Sequence, residues 1–151
     1  MAALFPFEVH TPHRLFFNEP VEAVVLTLID GEVAVYANHV PFTAPVVPCL
    51  LRIKDKKGSW RNAFAAEGIL EVKENKAVLI SEAVEWAGEI DPQRAEKAKK
   101  RAEEILRDGG MKIEMERAVS SLRRANMRMK IKGVEVSEAA ANADGNAGGK
   151  D

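Results

Sequence analysis

The chain changes character at residues 89–95, Glu-Ile-Asp-Pro-Gln-Arg-Ala. Before this point, β-branched and aromatic residues fall in short runs separated by turn chemistry. After it comes an Ala-, Lys-, Arg- and Glu-rich stretch that runs to about residue 130. The first pattern reads as strands and the second as helix, so the junction divides a β part from an α part. It also carries a helix start. Asp91 is a good N-cap because its carboxylate accepts from an otherwise unpaired backbone N–H, and Pro92 fits the first helical position, where no donor is needed.

Upstream, residues 5–9 and 15–17 read as strands flanking His10-Thr11-Pro12-His13, and residues 21–28 are rich in β-branched side chains. Asp30-Gly31 is a hairpin signal, followed by alternation over residues 32–36. Further strands are expected at 50–54 and 60–65 around Lys56-Lys57-Gly58, and at 69–73 and 77–80 around Glu74-Asn75. Turn signals at this spacing predict an antiparallel β-sandwich or barrel, and about 85 residues of such strands bury a modest core of their own.

Downstream, Ala95, Ala98, Ala102 and Ile105 recur three and four apart, and Asp108-Gly109-Gly110 stops the helix. Met111, Met115, Ala118, Leu122, Ala125 and Met129 mark a second helix. Two such stripes predict an αα-hairpin. Alanine buries little area, and at about 25 cal/mol per Å² such an interface opens at modest cost. The expected organisation is a sandwich over residues 1–88, a helical hairpin over 89–136, and a disordered tail over 137–151 whose Ala, Gly and Asn content argues against packing.

The chain has 151 residues, of which 46% are hydrophobic and 30% charged, with a formal net charge of −1. Near-neutrality argues against nucleic acid or anionic membrane as a partner. One cysteine, Cys49, allows no intrachain disulfide and points to a reducing compartment. The first residues lack a basic segment, and Pro6 and Glu8 interrupt the apolar start, so no secretory leader is expected. The apolar run 44–51 is too short to cross a bilayer, so membrane association would have to go through a partner.

Three segments in order carry a family resemblance. Residues 31–41, Gly-Glu-Val-Ala-Val-Tyr-Ala-Asn-His-Val-Pro, are similar to a Gly-Asp/Glu, strand, His-x-Pro segment. Residues 67–72, Glu-Gly-Ile-Leu-Glu-Val, are similar to a Gly-Gly-Phe/Ile-Leu/Val-Glu-Val strand. Residues 90–95, Ile-Asp-Pro-Gln-Arg-Ala, fit an Ile/Leu-Asp-x-x-Arg-Ala motif. With a helical hairpin following, the chain from Phe7 to about Val136 resembles the epsilon subunit of bacterial F-type ATP synthase. The resemblance implies a β-sandwich seated on the gamma subunit and the c-subunit ring, as part of the rotor. It also implies a C-terminal hairpin that folds back or extends towards the alpha/beta hexamer, where it inhibits ATP hydrolysis. The location implied is peripheral, on the cytoplasmic face of the bacterial plasma membrane, in proton-driven ATP synthesis.

The resemblance further implies ATP as a regulatory ligand rather than a required cofactor. The matching positions are Glu85, Ile90, Asp91, Arg94, Ala95, Arg101, Arg124 and Arg128. Geometry agrees: Arg94 and Arg101 are seven apart, Arg124 and Arg128 four apart, so each pair shares a helical face. Counted from Gly109-Gly110, Arg94 and Arg124 fall at the same level, and converging guanidiniums suit phosphate. The alternative is that Asp91 only caps its helix and the arginines pair with Glu96, Glu103, Glu104, Glu114 or Glu116. Glu32 and His39 occupy the loop region that faces the c ring in the family, with His39 expected to order its own loop. Cys49 and Ala66-Glu67 depart from the family pattern. His10 and His13 lack further ligands at metal spacing, and no metal is expected.

Two other function classes find less support. An enzyme would need a catalytic set, but there is no phosphate-cradling Gly-rich loop and no Gly-x-Ser-x-Gly elbow. A nucleic-acid module is suggested by Lys97, Lys99, Lys100 and Arg101, yet no aromatic stacking set accompanies them. A non-catalytic coupling and regulatory subunit is the expectation.

Overall fold

The computed structural model describes residues 2–146 of the chain. The described residues begin with nine strands: β1 (Phe5–His10), β2 (Leu15–Leu28), β3 (Gly31–Val35), β4 (Phe42–Val46), β5 (Cys49–Asp55), β6 (Trp60–Ala65), β7 (Gly68–Lys73), β8 (Lys76–Ser81) and β9 (Val84–Trp86). A 3₁₀ turn (Ala87–Glu89) then leads to α1 (Pro92–Asp108) and α2 (Lys112–Asn146). Contacts divide the chain after Trp86 into a strand unit and a helical unit.

In the strand unit the order is β1-β8-β7-β4-β2-β5-β6-β9, with β3 on β2 and β1 also on β2. Among the described residues the pairings are antiparallel except that of β1 with β8. β2 is the common member. Its first half pairs with β1, and its second half with β5 and β3. Alternation supplies the core: Phe5, Phe7 and Val9 on β1, Leu51 and Ile53 on β5, Leu70 and Val72 on β7, and Ala77 and Leu79 on β8 are all buried.

The hairpin signals form as the residues dictate. Gly31 has φ +132° at the start of β3. At the β5–β6 turn Gly58 has φ +84°, and the Asp55 carboxylate accepts from Lys57 N (2.9 Å) and Ser59 N (3.0 Å). The Ser59 amide is the main reason that carboxyl is held below the usual aspartate range. Glu74 and Asn75 both have positive φ, 51° and 59°, as a two-residue type I′ turn requires.

The strands differ from the sequence expectation in three places. Residues 15–17 and 21–28 belong to one strand, continuous through Pro20. Pro6 and Pro20 face each other across β1 and β2, so the two missing donors fall on one rung. β4 runs through Pro45, whose carbonyl accepts from Ile29 N at 3.2 Å. β9 is three residues long and takes its conformation from pairing with β6.

In the helical unit Asp91 caps α1, its Oδ1 accepting from Gln93 N (3.0 Å) and Arg94 N (3.3 Å). Gly109, at φ +76°, ends α1, and its N–H donates to Ile105 O (3.1 Å). At the start of α2 the Glu114 carboxylate accepts from Met111 N at 3.3 Å, half of a capping box. The two helices pack together. Ala95, Ala102, Ala118 and Ala125 are buried, joined by Ala87, Ile90 and Ile131. Met111 lies outside α2 and is 66% exposed, and Ile105 is also exposed, so the apolar seam is narrower than the sequence stripe.

The expected disordered tail is corrected over residues 137–146, which continue α2 without a break; residues 147–151 lie outside the described residues. Gly133 does not stop the helix. Once a helix is nucleated each added residue costs little, and the alanines at 139–141 and 143 are the strongest helix formers. The Ser137 hydroxyl donates back to Gly133 O (3.0 Å) and satisfies that carbonyl a second time.

Candidate functional site

Most residues expected at a nucleotide site belong to the helical unit. Asp91 and Arg94 are exposed at the start of α1, with the Asp91 carboxylate engaged in its cap. Ile90 and Ala95 are buried and pack the turn into the helix, so they offer shape rather than polar groups. Arg101 is exposed on α1, and Arg124 and Arg128 are half-buried on α2. Glu85 belongs to the strand unit, on β9 opposite Phe64 of β6.

Two grooves expose arginines of the helical unit. The first, about 650 Å³, runs between α1 and α2 near their connection. Its floor includes Ala98, Ala102 and Ala118, while Arg101, Arg117 and Ser121 supply donors and Glu104, Asp108 and Glu114 supply carboxylates. The second, about 410 Å³, is a shallow surface on α2 lined by Arg117, Ser120, Ser121 and Arg124 among others. Arg117 and Ser121 border both. Arg101 and Arg124 thus each share a groove with Arg117, whereas Arg94 and Arg128 line neither groove.

Sequence reasoning misses Arg117, although it stands seven residues before Arg124 and so on the same helical face. It misses Lys132 as well. The Lys132 Nζ reaches the carbonyls of Gly88 (3.3 Å) and Ala87 (3.5 Å) and the Glu135 carboxylate (3.5 Å). Guanidinium forks and hydroxyls suit a phosphate-bearing ligand by geometry and charge.

On the strand unit, Glu32 is exposed on β3 opposite Thr27. His39 Nδ1 donates to Val40 O at 2.8 Å and its ring meets Phe42 edge-on at 5.2 Å, so this histidine orders its own loop. His10 Nε2 lies 2.9 Å from the Glu8 carboxylate, whose other oxygen takes Lys76 at 2.8 Å. Among the described residues no three His, Cys, Asp or Glu side chains gather as metal ligands. Cys49 is a buried core residue at the start of β5, and burial raises its thiol pKa. Trp86 packs against Phe16 (4.8 Å) with the Arg61 guanidinium 3.8 Å over its ring. Trp60 is 42% exposed beneath Arg52, at 4.6 Å. No helix of the described residues is long and apolar enough to cross a membrane.

Comparison with known proteins fits both units. Residues 4–87 match the ATP synthase, Delta/Epsilon chain, beta-sandwich domain, and residues 89–133 match the ATP synthase, Delta/Epsilon chain, long alpha-helix domain. The chain is 50% identical over 129 residues to the ATP synthase epsilon chain of Caldicellulosiruptor bescii, covering 85% of this chain and 93% of that one. It is 41% identical over 132 residues to the epsilon chain of Caldanaerobacter subterraneus subsp. tengcongensis, covering 87% and 95%. Its fold is similar to a chain in the Euglena gracilis mitochondrial ATP synthase OSCP/F1/c-ring structure, with a TM-score of 0.72 at 17% identity over 83% of this chain and 79% of that one. A strand sandwich with its own core, an Asp-capped helical hairpin and similarity across both units at this level lead to one conclusion: the chain belongs to the epsilon chains of the ATP synthase delta/epsilon family.

Proposed function

We propose that this chain is a non-catalytic central-stalk subunit of an F-type ATP synthase, coupling gamma to the c-subunit ring and braking ATP hydrolysis through its helical hairpin. The observation that carries the reading is the division after Trp86 into two units with different interiors. The strand unit is built on large side chains such as Phe5, Phe7, Leu26, Leu51 and Leu79, suited to a rigid seat on a rotor. The helical unit buries mainly alanines and is held by far less apolar area, as a part that changes arrangement must be. Glu32 is exposed and so available to a basic loop of the ring, and His39 shapes the loop beside it. The complex would sit on the cytoplasmic face of the plasma membrane, with the extended hairpin directed at the alpha/beta hexamer.

ATP is the proposed regulatory ligand, held by Arg94, Arg101, Arg124 and Arg128 with Asp91, Ile90 and Ala95 of the same helical unit. It favours the folded hairpin because residues from both helices must converge on it. In this reading ATP is a signal rather than a substrate.

The test is a chain truncated after Gly88, reconstituted with the rest of the complex. Gamma binding should persist and inhibition of ATP hydrolysis should disappear; unchanged inhibition would remove the brake from the account. Calorimetric titration of the intact chain with ATP should give heat that Arg94→Ala diminishes. No heat at millimolar ATP would exclude the ligand.

A further inference from the structure

We propose that Lys132 is a latch that pins α2 to the 3₁₀ turn opening the helical unit, setting how readily the hairpin opens. The inference rests on the brake reading above and assigns it a residue. The 3₁₀ turn Ala87–Glu89 cannot run on into α1, because Asp91-Pro92 starts a new helix there. Its carbonyls therefore lack the partners that helix continuation would give. Ala87 O receives Ile90 N at 3.4 Å. Ala87 and Ile90 are each 2% exposed and anchor the turn in the unit's interior, while Gly88 between them is exposed. The Lys132 ammonium, from 44 residues further along, donates to Gly88 O and Ala87 O.

Two further observations fix the geometry. Glu135 lies one helical turn beyond Lys132 and takes its Nζ at 3.5 Å, which orients the ammonium and balances its charge. A Cβ on Gly88 would come within 3.4 Å of the Glu135 carboxylate, so turn and helix are in close approach. When α2 leaves the turn, the bonds to Gly88 O and Ala87 O and the approach of Glu135 to Gly88 are lost together, while the Lys132–Glu135 pair stays within α2. A charge-assisted bond is stronger than a bond between neutral groups, so the Lys132 ammonium adds to the closing energy of an interface whose buried residues are mainly alanines.

The test uses the full chain with Lys132→Met, which keeps the length and helix propensity of the side chain and removes the ammonium. Amide hydrogen exchange over residues 86–90 and 125–136 should accelerate about five- to tenfold. Lys132→Arg should restore most of the protection. Exchange within twofold of the parent in Lys132→Met overturns the latch. In the reconstituted complex, Lys132→Met should inhibit ATP hydrolysis more strongly than the parent chain. Faster exchange with unchanged inhibition severs the latch from the brake. The brake reading itself fails separately, if the chain truncated after Gly88 still inhibits.

Discussion

Gly68 and Ile80 approach so closely across β7 and β8 that a Cβ on Gly68 would overlap the Ile80 carbonyl oxygen and come within 2.9 Å of Ser81 Cα. The neighbouring atoms are backbone and cannot swing aside. Ser81, the residue paired with Gly68, is itself buried and places its hydroxyl 3.0 Å from Ala66 O and 3.1 Å from Ala83 O. Glycine at this position is therefore a packing requirement, not a turn requirement. Gly68→Ala should destabilise the strand unit by roughly 2–3 kcal/mol, the usual cost of overfilling a tight interior. Thermal denaturation followed by circular dichroism measures it, and an unchanged midpoint would contradict the close approach.

Asp91 is both the cap of α1 and part of the proposed ATP site, and the two roles separate by substitution. Asp91→Ala removes the acceptor for Gln93 N and Arg94 N and should cost about 1 kcal/mol of helix stability. Asp91→Ser keeps an acceptor and should recover most of that loss while removing the charge. Helicity of the two variants on heating reads the cap. ATP titration of the serine variant reads whether the carboxylate serves the ligand.

Glu8 receives Lys76 at 2.8 Å and His10 at 2.9 Å, and these bonds, Lys76 foremost, hold its carboxyl below the ordinary glutamate value. A depressed folded-state value means that the contribution to stability is present above the unfolded glutamate value. It is lost as pH falls through the lowered one. Lys76→Met should raise the Glu8 titration midpoint towards the ordinary value. A carboxyl-detected NMR titration of both chains decides the matter; an unmoved midpoint would show that Lys76 is not the cause.

Cys49 is 2% exposed and its thiol is pushed up by burial, so the thiolate that reacts is scarce and shielded. The folded chain at about pH 8 should react with a thiol reagent at least roughly tenfold more slowly than the same chain in denaturant. Rapid reaction without denaturant would show that the β5 end of the core opens readily.

Local chemistry makes several features legible in the amino-acid sequence. Asp91-Pro92 could only start a helix, Gly109 stops it, and Asp30-Gly31, Lys57-Gly58 and Glu74-Asn75 make turns, because each depends on the φ and donor inventory of two or three adjacent residues. The order of the three family-like segments also carries the family. Partners distant in sequence decide the rest. Pro20 stays inside β2 because Pro6 faces it, Pro45 stays in β4 because β7 receives it, and β1 runs parallel to β8 with no local signal for that direction.

The helical unit divides in the same way. Alanine spacing foretells the seam, but not that α2 runs on past Gly133 to Asn146. The arginine positions can be counted, whereas the company of Arg117 with Arg101 and Arg124 requires the two grooves themselves. The bond from Lys132 to the Gly88 carbonyl joins residues 44 positions apart through a backbone oxygen. A backbone oxygen is the same at every residue, so the amino-acid letters bear no trace of it; only the folded chain could choose which carbonyl would need a donor.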